Sequence, residues 1–198
     1  MTDNVAIVDS GGANIASLRF AFDRLGATSV LTTDPDRLAG ADRVVLPGVG
    51  AAEAAMDRLH QLELVSCLQS LSQPTLGICL GMQLLAAQSD EDQARCLSII
   101  DGDVARFPES RDAPVPHMGW NQIRDLSEDP LLDGISENAY FYFVHSYALP
   151  VGADTIASCD YIMPFSAIVR RDNYYGTQFH PERSAENGAQ LLRNFLTL

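Results

Sequence analysis

At 198 residues, with 46% hydrophobic and 20% charged side chains, the chain is long enough to bury a sizeable core and suits a single globular domain spanning residues 1–198. Thirteen basic residues against 26 acidic ones leave a formal net charge of -13, which argues against non-specific nucleic-acid binding but not against a local site for a small anionic ligand. No apolar run approaches a membrane span, the opening MTDNVAIVDS has no signal-peptide pattern, and Cys67, Cys79, Cys96 and Cys159 form no C-x-x-C or zinc-ligand spacing; a cytoplasmic protein with reduced thiols, no metal and no cofactor is expected.

Val5 to Val8 is a short β-branched run that ends at Asp9-Ser10-Gly11-Gly12, a first strand and its turn. From Asn14, the residues Ile15, Leu18, Phe22 and Leu25 recur at helical spacing, and Gly26 stops the pattern. Ser29 to Thr32 predicts a second strand. Arg43 to Leu46 predicts a third, ending at Pro47-Gly48-Val49-Gly50. A helix carries Ala52, Ala55, Met56 and Leu59 on one face, and another spans Leu64 to Leu71. After Pro74 a strand runs into Cys79. Strand and helix alternate to this point, which implies a parallel sheet with helices on both faces. After Gln88 the alternation breaks. Ser89 to Gln93 is acidic and polar and reads as a solvated loop. Strand-like runs then dominate: Val104 to Phe107, Ala139 to Val144, Thr155 to Ser158, Ala167 to Arg170 and Tyr174 to Gln178. Leu191, Leu192, Phe195 and Leu196 mark a closing helix.

The stretch Thr75 to Gln83, TLGICLGMQ, carries the chemistry. It places G-x-C-x-G at a strand-to-helix turn, the thiol analogue of a nucleophile elbow. Gly77 permits close backbone approach, and Gly81 permits a sharp turn without a Cβ clash. Cys79 then sits at a helix N-terminus, where the dipole favours the nucleophilic thiolate. A cysteine nucleophile needs a base, a group that orients the base, and donors for an oxyanion. His180-Pro181-Glu182 follows the last strand. In an extended segment the first and third residues point the same way, so the carboxylate can hold the imidazole. Pro47-Gly48-Val49-Gly50 exposes backbone N–H groups beside the elbow, and with the N–H of Leu80 these can form an oxyanion hole. Taken singly, each motif also has a bland reading: a buried structural thiol, a surface His beside a Glu, an ordinary Pro-Gly turn.

Together GICLGMQ, PGVG and HPE resemble the class I (triad) glutamine amidotransferases. The resemblance implies a flavodoxin-like, open, mostly parallel sheet with added antiparallel strands in the C-terminal half. It implies that Cys79 attacks the side-chain amide of glutamine to give a γ-glutamyl thioester. His180 is then the general acid/base and Glu182 its orienter. Gln83 matches the family glutamine that contacts substrate, and Ser146-Tyr147 match the segment whose backbone holds the substrate's α-amino and carboxylate groups. Pro116 to Asn121 (PHMGWN) and Tyr140 to Tyr147 (YFYFVHSY) are similar to the glutaminase subunits of imidazole glycerol phosphate synthases, which pass ammonia to a cyclase subunit in histidine biosynthesis. A heterodimer with such a cyclase is implied, with Asn14, His117, Trp120 and Asn121 at the partner interface. By their residues alone, His117 is a loop histidine and Trp120 a core or interface side chain. A glutaminase subunit for anthranilate or aminodeoxychorismate synthesis, and a catalytically silent scaffold on the same fold, stay open at this point.

Overall fold

The computed structural model describes residues 4–11, 15–111 and 113–198. The expected helix start at Asn14, and its expected interface role, lie outside them. In chain order the elements are β1 (Asn4–Val8), α1 (Ile15–Arg24), β2 (Thr28–Thr32), α2 (Pro35–Ala39), β3 (Arg43–Gly48), α3 (Ala52–Gln61), α4 (Val65–Gln69), β4 (Thr75–Cys79) and α5 (Leu80–Leu85). There follow β5 (Gln88–Ser89), β6 (Ala94–Arg95), β7 (Asp103–Arg106), β8 (His117–Arg124), β9 (Tyr140–His145), β10 (Tyr147–Ala148), β11 (Thr155–Asp160), β12 (Pro164–Arg171), β13 (Tyr174–Thr177) and α6 (Ala185–Phe195).

Nine strands form one sheet in the order β2-β1-β3-β4-β13-β12-β11-β8-β9. The pairings from β2 through β13 are parallel, and those from β13 out to β9 are antiparallel. A second sheet, β10-β7-β5-β6, packs beside it. In β1, Val5 and Ile7 face one apolar cluster while Ala6 and Val8 face another, which is the two-residue period of a strand covered on both sides. The first cluster joins Phe22 of α1 to Leu191 and Phe195 of α6. The second joins Leu59 of α3, Leu68 of α4 and Leu84 of α5. Each fully buried Leu or Phe in these layers contributes about 1.5–3 kcal/mol relative to exposure. Among the described residues no helix is long and apolar enough to cross a membrane.

Three elements differ from the sequence reading. Pro35–Ala39 is a short helix, started by Asp34, whose side chain accepts from the backbone N–H of Asp36, with Pro35 in the first turn. Ser89 to Gln93 is not simply a solvated loop. Ser89 is buried in β5, and Glu91 in the turn after it lines the same cavity as Cys79. His117–Arg124 is a strand, not a loop, because it pairs along six residues with β9. Its mixed polar and apolar sequence hid a strand that sits between β11 and β9, both distant in the chain.

Candidate active site

The elbow forms where β4 meets α5 with no residue between them. Cys79 itself makes the turn, at φ 54° and ψ -109°, a conformation that a residue with a Cβ adopts only under constraint. The constraint is visible in the glycines. A Cβ on Gly81 would lie 1.8 Å from the carbonyl oxygen of Leu46, and one on Gly77 would lie 2.6 Å from that of Gly81. The start of α5 is thus pressed onto β3. Gly81 provides clearance rather than the turn expected of it.

His180 leaves the end of β13 in an extended conformation, and Pro181–Arg183 then forms a single 3-10 turn. The turn, not a continuing strand, brings the two side chains together. His180 Nδ1 lies 2.9 Å from Glu182 Oε1, and both side chains are almost fully buried. The His180 N–H donates to the carbonyl of Tyr142, and Ser184 Oγ donates to the carbonyl of His180, so the loop is held from both sides. Burial disfavours a charged ring, but hydrogen bonds and opposite charge from Cys79 and Glu182 outweigh it and push the His180 pKa up to about 10. The ring therefore sits between the Cys79 sulfur and the Glu182 carboxylate, in its cationic form near neutral pH. Cys79 Sγ also lies 3.8 Å from the carbonyl of Val144 and 3.9 Å from Gln178 Nε2.

A cavity of about 350 Å³ opens over Cys79, of a size that suits a small metabolite. His180, Val49, Gly50, Leu80, Gln83, Ser146 and Tyr147 all line it. Residues drawn from four separate stretches of sequence thus share one cavity, at the carboxyl ends of β3, β4 and β13. Glu182 lies behind His180, beside a smaller cavity bounded by Gly48, Val49 and Ile78. Gly48 stands in register with Cys79 across the β3–β4 pairing. Gly50 has φ +99°, which glycine adopts without strain. Leu80 begins α5, where the first N–H groups have no partner within the helix.

Two residues of the site were missed. Among the described residues that line the cavity, Glu91 carries the only carboxylate. Its Oε2 accepts from the N–H of Ala52 at 2.9 Å, and burial raises its pKa. Nothing in an acidic run marks one carboxylate as turned inward; the β5–β6 pairing on either side of it does that. Gln178, fully buried, bridges Gln83 and Cys79: its Oε1 accepts from Gln83 Nε2 at 3.1 Å. Its position two residues before His180 was the available signal. Gln83 also donates to the carbonyl of Tyr147 at 2.8 Å, so both of its amide hydrogens have acceptors inside the protein.

The expected interface residues separate. Trp120 is half exposed, next to Met118, also exposed, and Asn121 is partly buried. His117 is interior, only 3% exposed, and stacks on Tyr161 and Phe143 at 3.9 and 4.9 Å. Alternation along β8 turns it inward while Met118 and Trp120 turn out, so any part it has at an interface runs through the residues around it.

The family described as Glutamine amidotransferase class-I matches residues 6–198. The chain is 49% identical to the imidazole glycerol phosphate synthase subunit HisH of Vibrio cholerae over 204 residues, covering 100% of both chains. It is 50% identical to the HisH subunit of Xanthomonas axonopodis pv. citri, covering 100% of this chain and 98% of that one. Of solved structures, a putative GMP synthase subunit from Thermoplasma acidophilum superposes with a TM-score of 0.78 at 21% identity, covering 100% of this chain and 94% of that one. PurLQS from Thermotoga maritima gives 0.71 at 16% identity, covering 100% and 99%. At that identity these two structures speak to the fold alone.

Proposed function

The chain belongs to the class-I glutamine amidotransferases, and from that we propose that it is the glutaminase subunit of an imidazole glycerol phosphate synthase. It hydrolyses glutamine to glutamate and ammonia. The ammonia passes to a cyclase subunit, which makes imidazole glycerol phosphate and an aminoimidazole carboxamide ribonucleotide in histidine biosynthesis. The four cysteines, all unpaired in the structure, suit a cytoplasmic setting for this pathway. One observation carries the reading of the site: Cys79, His180, Gln83 and Ser146-Tyr147 converge on one cavity, with Glu182 locking the imidazole from behind.

The chemistry follows from the geometry. Cys79 sulfur attacks the carboxamide carbon of glutamine, and the carbonyl oxygen takes up negative charge. The backbone N–H groups of Leu80 and of the Val49–Gly50 segment receive that oxyanion. His180 gives its proton to the departing nitrogen, which leaves as ammonia. A water then attacks the thioester, His180 takes the water's proton, and glutamate is released with Cys79 restored. Glu182 keeps the ring oriented and stabilises its cationic form. At the far end of the cavity, Glu91 offers negative charge to the substrate's α-ammonium group, and the Ser146-Tyr147 backbone holds its carboxylate.

The test is glutamate release from glutamine, with and without a cyclase subunit and its ribonucleotide ligand. Cys79→Ala should abolish it and leave ammonia-dependent synthesis by the complex intact, since only the ammonia supply is lost. Substantial glutamine hydrolysis by that variant would remove Cys79 from the reaction.

A further inference from the structure

Two buried histidines, His117 and His145, take no part in the chemistry described above. They face each other in register across β8 and β9. His117 Nδ1 lies 3.0 Å from His145 Nε2, and His145 Nδ1 lies 2.8 Å from the carbonyl oxygen of Tyr147. On the other side, Asn121 Nδ2 lies 3.3 Å from His117 Nε2. Asn121 is itself fixed, because its Oδ1 accepts from the N–H of Gln122 at 2.8 Å and its Nδ2 donates to the carbonyl of Asp160 at 2.9 Å.

These contacts permit one arrangement of protons. A carbonyl only accepts, so His145 carries its hydrogen on Nδ1. Burial lowers the pKa of His145 to about 3 and that of His117 to about 4, so both rings are neutral at working pH. His145 Nε2 is then an acceptor, and His117 must donate from Nδ1. His117 Nε2 is left as an acceptor for Asn121. Every donor points the same way, from Asn121 through both rings to the Tyr147 carbonyl. That carbonyl also receives Gln83 Nε2, whose second hydrogen goes to Gln178, the neighbour of Cys79.

We propose that His117 and His145 are positioning residues for glutamine: a tautomer-locked relay that fixes the Tyr147 peptide and, through it, Gln83 and the substrate-holding wall of the cavity. The proposal rests on the glutaminase reading of that cavity. Filling the core is the competing account, since His117 stacks between Tyr161 and Phe143. His117→Phe separates the two, because it keeps an aromatic ring and removes both hydrogen bonds. The variant leaves His145 Nε2 unpaired and free to take the proton, which would turn a lone pair of Nδ1 toward the Tyr147 carbonyl.

Two measurements decide. In the complex with the cyclase subunit and its ribonucleotide, His117→Phe should raise the KM for glutamine about tenfold, the cost of one unsatisfied buried group, while kcat stays within about twofold and ammonia-dependent synthesis is unchanged. His145→Asn, whose amide can still donate to the Tyr147 carbonyl, should raise the KM less than His145→Phe does. A wild-type KM in His117→Phe, or equal damage from Asn and Phe at position 145, overturns the relay. Nitrogen-15 spectra of the wild-type histidine rings need no variant to fold. They should show both rings neutral with the hydrogen on Nδ1 at pH 7, and a hydrogen on Nε2 of either ring overturns the proposal. If the wild-type complex releases no glutamate from glutamine, the reading of the cavity fails instead, and the spectra still decide the relay.

Discussion

At Cys79 the backbone turns at a φ of 54° so that a thiol, an imidazole and a carboxylate can line up in a mostly buried place. In the proposed reaction the three side chains carry unequal burdens. His180→Asn should lose thioester formation altogether, because His180 is the ring held between Cys79 and Glu182. Glu182→Gln should cost less, since a neutral amide still orients the ring but no longer stabilises its cation. Single-turnover thioester accumulation compares them, and equal damage from both would refute this division of roles. His117 and His145 lead to a different prediction. Their folded-state pKa values, about 4 and about 3, lie below the ordinary 6.5. As pH falls from about 6.5, the unfolded chain takes up protons that the folded chain refuses, so stability drops until the folded rings titrate near pH 4 and 3. The melting temperature of wild type should therefore fall more steeply than that of His117→Phe between pH 6.5 and 4.5.

The elements around the elbow work through close approach rather than through helix propensity. Helix α5 has six residues, all buried, and its first turn lies directly on β3. Gly81→Ala would drive a methyl group into the backbone oxygen of Leu46, at 1.8 Å before any relaxation. Backbone cannot swing aside as a side chain can, so this substitution should cost at least about 3 kcal/mol. Gly50→Ala offers the contrast. Nothing lies within 4 Å of the added atom, and only the φ of +99° resists it, which is worth about 1–2 kcal/mol. Urea denaturation midpoints should rank the two accordingly, and a smaller loss at Gly81 than at Gly50 would show that α5 can shift off β3.

Across the whole molecule, Val49, which lines the cavity, and Met118 and Trp120 on β8 leave large apolar side chains exposed. A glutaminase that ran alone would release ammonia into water, where it is protonated and lost as a nucleophile. The isolated chain should therefore be nearly idle. Ser10 Oγ donates to the Pro47 carbonyl at 3.2 Å, so the loop after β1 touches the segment proposed to carry the oxyanion donors. Glycine at position 50, and at 48 before Val49, leaves the intervening peptides free to reorient. Docking of the cyclase with its ribonucleotide should complete the oxyanion hole, and one missing donor costs about 2.7–4 kcal/mol, or about 10²–10³ in kcat. Activation should thus appear mainly in kcat, with glutamine KM changed far less. Full activity of the isolated chain, or activation confined to tighter glutamine binding, would exclude this device.

Local patterns determined much of this protein. The alternation of apolar strands and helices to Cys79 marked the parallel strands β1 to β4, and G-x-C-x-G, P-G-V-G and H-P-E marked the residues proposed to carry chemistry, because the conformations and functional groups involved depend on residue type. Tertiary pairing decided the rest. Whether Glu91 faced water or the cavity over Cys79, and whether His117 faced solvent or His145, turned on the strands β5 and β9 that lie beside them. A strand's inward side is set by the register of its neighbour, and neither neighbour can be read from the residues that it covers.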